Sequence, residues 1–169
     1  MPFELQPILT GALVELRPLR AADFDALYAV ASDPLIWEQH PANDRWKPEV
    51  FREYFQSGLD SGGAFLVLDA QSGRVIGSTR YYDYNEQAGE VEIGWTFLAR
   101  SHWGGRYNRE MKQLLLRHAF RFVPRVVFHI GVHNLRSQKA LEKLGGIRTG
   151  RGVSNGRESF SYVITSVPA

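Results

Sequence analysis

The 169-residue chain contains no cysteine. Disulfides, thiolate zinc sites and a cysteine nucleophile are therefore excluded. No apolar run approaches the ~20 residues needed to cross a bilayer. The start, MPFELQPILTGAL, has no basic n-region, apolar h-region or small-residue cleavage site, so cytoplasmic residence is expected. Lys/Arg-rich runs are also missing. The net charge of +2 is spread along the chain, and with a pI near 9.0 this suits a mildly basic enzyme that meets anionic ligands rather than a nucleic-acid binder. No repeat, low-complexity tract or linker divides residues 1–169, so one domain is expected. What is present is an ordinary globular balance, 44% hydrophobic and 22% charged, in a chain long enough to bury a core.

Periodicity sets out the elements. Leu13 to Leu16 reads as a short strand closed by Pro18. Ala22 to Ala31 reads as a helix with Phe24, Leu27, Tyr28 and Ala31 on one face. Pro34 to Trp46 is irregular and aromatic. Pro48 suits the first position of a helix that runs to Leu59 and stops at Ser61-Gly62-Gly63. Ala64–Leu68, Arg74–Tyr82 and Glu90–Leu98 form an antiparallel meander. In the last of these, Glu90, Glu92, Gly94 and Thr96 alternate with Val91, Ile93, Trp95 and Phe97. From Tyr107, the positions Met111, Leu114, Leu115, His118 and Phe122 have helical spacing. Val126–Val132 reads as a strand buried on both faces. Asn134–Leu144 reads as a helix ended by Gly145-Gly146. Ile147–Val153 and Ser159–Thr165 close as a hairpin around Ser154-Asn155-Gly156. The expectation is an α/β (α+β) fold, a mixed sheet with helices packed on it.

Two stretches carry chemistry. In LARSHWGGRYNREMK, Gly104 and Gly105 allow close backbone approach, and the following helix presents free N–H groups and a positive dipole end. Arg100, Arg106 and Arg109 add charge. The segment suits a phosphate or pyrophosphate, although neither the P-loop nor the dinucleotide fingerprint is present. In the second, Val132-His133-Asn134-Leu135-Arg136-Ser137, Asn134 can cap a helix that carries Ser137 on its first turn.

Together, "EIGWTFLARSHWGGRYNREMK" and "VHNLRSQKALEKLGG" resemble the Gcn5-related N-acetyltransferases (GNAT), most nearly the ribosomal-protein N-terminal acetyltransferase branch. "LVELRPLRAADFDAL" is similar to that branch's opening strand and helix, so nearly the whole chain is covered. The resemblance implies a mostly antiparallel sheet with helices on both faces, in which the strand Glu90–Leu98 splays from Val126–Val132. It implies transfer of an acetyl group from acetyl-CoA to a primary amine, on a protein N-terminus or a small molecule, without a metal. It also implies pantetheine contacts at Phe97 and Leu98. The pyrophosphate would fall on Gly104, Gly105, Arg106, Tyr107 and Asn108, with Arg100, Asn134 and Ser137 nearby. The family's Q/R-x-x-G-x-G/A pattern is not kept, because Ser101 and Arg106 occupy its first and last positions. A tyrosine acid common in the family's second helix is replaced by Glu142, which leaves Ser137 as the candidate donor to the departing sulfur. The partners expected are acetyl-CoA and an amine acceptor, with no nucleic acid or membrane. Homodimers are common in the family. A CoA-binding sensor that keeps the cleft without turnover is the alternative class.

An ammonium must lose a proton before it attacks a thioester. Glu92 matches the family glutamate in "EIG" and is the candidate base, with Glu90 on the same face as alternate. A backbone N–H near Phe97 can polarise the acetyl carbonyl. Trp37, Arg80 and Tyr82 are the candidate acceptor-side residues, with His40, Trp46, Tyr81 and Tyr84 as further aromatic or imidazole lining. The irregular Pro34–Trp46 segment is expected to set acceptor choice. Gly152-Val153-Ser154-Asn155-Gly156 matches a hydrolase nucleophile elbow, but a strand follows it and no later histidine exists, so it reads as a hairpin turn. His129 and His133 lack a third ligand and do not make a metal site.

Overall fold

The computed structural model describes residues 2–169. Strands β1 (Leu9–Thr10), β2 (Val14–Pro18), β3 (Ala64–Asp69), β4 (Val75–Asn85), β5 (Glu90–Leu98), β6 (Arg125–Gly131), β7 (Ile147–Ser154) and β8 (Arg157–Ile164) form one eight-stranded sheet in the order β1-β2-β3-β4-β5-β6-β8-β7. Neighbours are antiparallel except β5 and β6, which run parallel. The helices are α1 (Phe24–Ala31), α2 (Pro48–Ser61), α3 (Arg106–Ala119) and α4 (Leu135–Lys143).

Alternate residues of β3 enter two different cores. Ala64 and Leu66 pack with Leu27 of α1 and with Phe51, Tyr54 and Phe55 of α2. Phe65 and Val67 pack with Met111, Leu115 and Leu116 of α3 and Leu141 of α4. The period-2 pleat thus puts helices on both faces. Each large side chain fully buried this way contributes roughly 1.5–3 kcal/mol. Glu110 on α3 ties that helix to the sheet edge, its carboxylate accepting the amides of Leu13 (2.7 Å) and Val14 (3.0 Å). Gly62 closes α2 at φ 66°, in the left-handed region a Cβ disfavours.

Several sequence expectations shift. β2 does end at Pro18, which still pairs with Phe65, and β1 adds a short strand that no pattern signalled. β4 runs on to Asn85 rather than stopping at Tyr82, because Asn85 still pairs with Glu90. β6 is buried on both faces only over Val126–Phe128, since its second half borders a cleft. The β7–β8 hairpin turns at Asn155 (φ 54°) and Gly156 (φ 75°), the primed turn that Asn-Gly favours. The elbow-like motif is therefore a turn between strands.

The alternation expected in β5 breaks at Trp95. Ser78 pairs with Phe97 and Arg80 with Gly94, two steps on β4 against three on β5. The extra residue is Trp95, in a bulge at φ 56°. Beside it the sheet opens. β5 pairs with β6 only at Glu90–Arg125, Val91–Val126 and Glu92–Val127, and past Glu92 the two strands part.

Candidate active site

The parted strands bound a cavity of about 280 Å³. One wall is the second half of β5, the other is Phe128–Gly131 of β6 with Asn134, Ser137 and Leu141. Ala99 donates its amide to Ile76 on the β4 side (2.7 Å), so strand alternation turns the Leu98 amide to the open side. The Leu98 carbonyl accepts the Trp103 indole N–H at 2.9 Å, which holds the following loop across the mouth.

That loop enters α3 through two left-handed glycines, Gly104 (φ 109°) and Gly105 (φ 100°). Nothing lies within 4 Å of where a Cβ of either would stand, so the need for glycine here is conformational and the space is open. The first intrahelical acceptor, the Gly105 carbonyl, takes the Arg109 amide (2.8 Å), and the amides of Arg106, Tyr107 and Asn108 precede that bond. At the opposite wall Asn134 is buried, and its side chain accepts the Ser137 amide (3.4 Å), which caps α4 and sets Ser137 at the cavity.

The inner end carries the titratable groups. His129 Nδ1 lies 2.8 Å from Glu92 Oε1. Nδ1 is buried and makes no hydrogen bond, so the contact is one of proximity. The Tyr82 hydroxyl also lies against the carboxylate. Burial raises the Glu92 pKa, while His129 and Tyr82 oppose the rise. Burial raises that of Tyr82, with Glu92 adding to it. Tyr82 and His129 line the cavity, and Glu92 sits behind them.

The residues singled out in the sequence divide by position. Trp37, Tyr82, Phe97, Leu98, Gly104, Gly105, Asn108, Asn134 and Ser137 line the cavity. Arg100 instead pairs with Asp33 (2.5 Å) at the surface, Arg106 is exposed, and Tyr107 packs edge-on to His102 (4.6 Å). Arg80 is buried behind Trp95, and Glu90 pairs with Arg125 (3.2 Å) at the sheet end. Glu142 lies 3.3 Å from the buried Tyr162 hydroxyl.

Lys112, Arg45 and His129 are among the lining residues that escaped sequence reasoning. Lys112 is buried on α3, where only its polarity was visible, and donates to Thr96 at 3.1 Å. Burial lowers it to about 7. Arg45 stands in the aperiodic segment before α2 and gave no signal. His129 drew notice only as half of a metal pair.

The sequence profile of the acetyltransferase (GNAT) domain matches residues 14–147. The chain belongs to the GNAT acetyltransferase family. Among solved structures, a T. thermophilus protein assigned as an acetyltransferase shares 28% identity over 97% of this chain and 92% of its own, with a TM-score of 0.79. A GCN5-related N-acetyltransferase from Brucella melitensis shares 23% over 97% and 80%, with a TM-score of 0.80. Mycobacterium smegmatis RimJ in complex with CoA-disulfide shares 20% over 90% and 82%, with a TM-score of 0.69. The last two speak for the GNAT fold alone. The splayed strands and glycine turn are thus the parts of a GNAT acetyltransferase domain, and among the described residues no helix is long and apolar enough to cross a membrane.

Proposed function

We propose that the protein is an acetyl-CoA-dependent N-acetyltransferase acting on a primary amine. The observation that carries this is the early end of the β5–β6 pairing at Glu92–Val127, which bares one backbone edge of β5 beside the glycine turn. The local residues fit the ligand. An unpaired strand edge suits the amides of a pantetheine arm, and the open, left-handed Gly104-Gly105 turn with the free amides of α3 suits a pyrophosphate. Acetyl-CoA would supply an acetyl thioester there.

The chain's own residues divide the remaining work. His129 faces the cavity and Glu92 backs it at 2.8 Å, so a proton taken from the acceptor ammonium is held by this pair. Glu92 is the base, and the His129 ring stands between it and the cavity wall. The Leu98 amide, turned to the open side, is placed to stabilise negative charge on an acyl oxygen. As the new C–N bond replaces the C–S bond, the second amine proton leaves with the thiol. Ser137, held by its cap to Asn134, is the donor at that side.

The test is thiol release from acetyl-CoA against a panel of amines that includes peptides, read beside the thermal shift with acetyl-CoA. A ligand bound only by the folded state raises Tm. Turnover with at least one amine is expected. A Tm unmoved by millimolar acetyl-CoA sinks the reading, and a shift without turnover by any amine leaves a CoA-binding sensor instead.

A further inference from the structure

The face of the sheet opposite α3 holds two guanidiniums outside any ion pair, although Asp44 acts on Arg45 from the preceding residue and Glu158 lines the cavity. The Arg45 guanidinium lies 4.9 Å from the Tyr54 ring centroid, 5.0 Å from that of Trp95 and 5.7 Å from that of Trp37. The Arg80 guanidinium lies 4.2 Å from the Trp95 centroid and 5.7 Å from that of Tyr54. Among the described residues, neither guanidinium has a carboxylate within 4.0 Å. Arg80 spends its hydrogen bonds on Ser57 (3.0 Å) and the Tyr54 carbonyl (3.4 Å), and its Nε is buried without a partner. Arg45 differs because it lines the cavity.

Further positive charge converges on the same place. Burial lowers His40 to about 3, and Arg45, Arg157 and Arg136 push it the same way, so three guanidiniums act on one imidazole. Arg157 comes from the β7–β8 hairpin and Arg136 from α4, and both line the cavity. Arg45 itself is lowered by burial to about 10 and remains charged at neutral pH. A desolvated cation is costly unless an anion or hydrogen bonds meet it. Three aromatic faces offset only part of that cost, about 0.5–2 kcal/mol for a cation–π contact.

Position separates Arg45 from the glycine turn, whereas Arg136 stacks on Trp103 beside that turn (3.8 Å). Trp37 and Tyr54 belong to the core under α1 and α2, whereas α3, which the glycine turn opens, packs on the other face.

We propose that the acceptor is a small amino carboxylate, its carboxylate paired with Arg45 and its amine directed to the His129–Glu92 wall. The guanidinium fork matches a carboxylate in a bidentate plane, which a lysine cannot reproduce. This substrate class rests on the acetyl-transfer reading and deepens it.

The experiment uses the full chain saturated with CoA, and free amino acids, their carboxamides, the decarboxylated amines and aminoalkylphosphonates as probes. Binding is read by thermal shift and turnover by thiol release with acetyl-CoA. Carboxylates are expected to bind at least about 10-fold more tightly than their carboxamides and to have a kcat/KM higher by at least the same factor, the worth of a charged hydrogen-bonded pair. Arg45→Gln should erase that preference and leave KM for acetyl-CoA unchanged. Arg45→Lys should keep part of it, and Arg157→Gln, at an exposed position, should weaken it without loss of fold. Equal use of carboxamides, an equal loss for both classes in Arg45→Gln, a preference for phosphonates or for peptides, or no binding by any probe would each overturn the proposal. Failure of the acetyl-transfer reading looks different: acetyl-CoA then gives no thermal shift and no thiol with any amine, whatever the carboxylates do.

Discussion

Glu92 and His129 face each other at 2.8 Å across strands that stop pairing at the glutamate's own rung, Glu92–Val127. The carboxylate therefore sits where the sheet ends and the cleft begins, half-buried behind the imidazole that lines the cavity. Its raised pKa follows from burial, and its use as a base requires it ionised.

Turnover should rise with pH through the raised Glu92 pKa, because only the deprotonated carboxylate accepts a proton. Glu92→Gln should lower kcat by about 10²–10⁴-fold and abolish that acid limb. The thermal shift with acetyl-CoA should persist. A retained pH limb in steady-state profiles of the variant would exclude Glu92.

Lys112 makes stability depend on pH. Its folded pKa is about 7, while the unfolded chain keeps the ordinary value of 10.5. Below pH 7 both states are protonated and the burial cost is fully present. Above it the unfolded state binds more protons, so stability rises with pH from about 7 towards 10.5. Lys112→Met should raise Tm most at pH 6, and the gain should shrink by pH 9. Melts of both proteins across this range check the sign.

Gly105→Ala should cost about 1–2 kcal/mol, since an L residue is strained at φ 100°. Its effect on KM for acetyl-CoA should exceed its effect on kcat. Gly73→Ala, at φ 74° in a turn remote from the cavity and with equally open space, is the control. It should lower Tm and leave KM alone.

Asn134→Ala removes the α4 cap and should cost about 1 kcal/mol in denaturant melts. Ser137→Ala leaves the cap acceptor in place and should lower kcat without moving Tm. Equal kcat for Ser137→Ala and wild type would leave proton donation to the thiol with water.

Much of the fold was legible because it is local. Period-2 and period-3.6 patterns marked β5 and α3, Pro48 marked the start of α2, and Asn155-Gly156 marked the hairpin turn. The GNAT-like motifs likewise pointed to the glycine turn and to Asn134 and Ser137, which lie on opposite walls of one cavity. These signals report backbone conformation and burial over a few residues, which the chain's own order of side chains dictates.

Other features arise only when distant segments meet. Trp95 looks like one more inward residue of an alternating strand, yet the mismatch with β4 turns it into a bulge. Arg80 has the charge of a substrate clamp, but it is packed against Trp95 and Tyr54. Lys112 has the polarity of a solvated helix position, and the close fit of α3 on the sheet buries it. Arg45 lies in a segment without periodicity and gains its place from Trp37, Tyr54 and Trp95 on separate elements. The sequence by itself thus determined the elements, the family and the left-handed glycine turn. The tertiary structure decided which charges are buried, unpaired and turned to the cavity, because solvation and pairing belong to the assembled neighbours and not to any single stretch of chain.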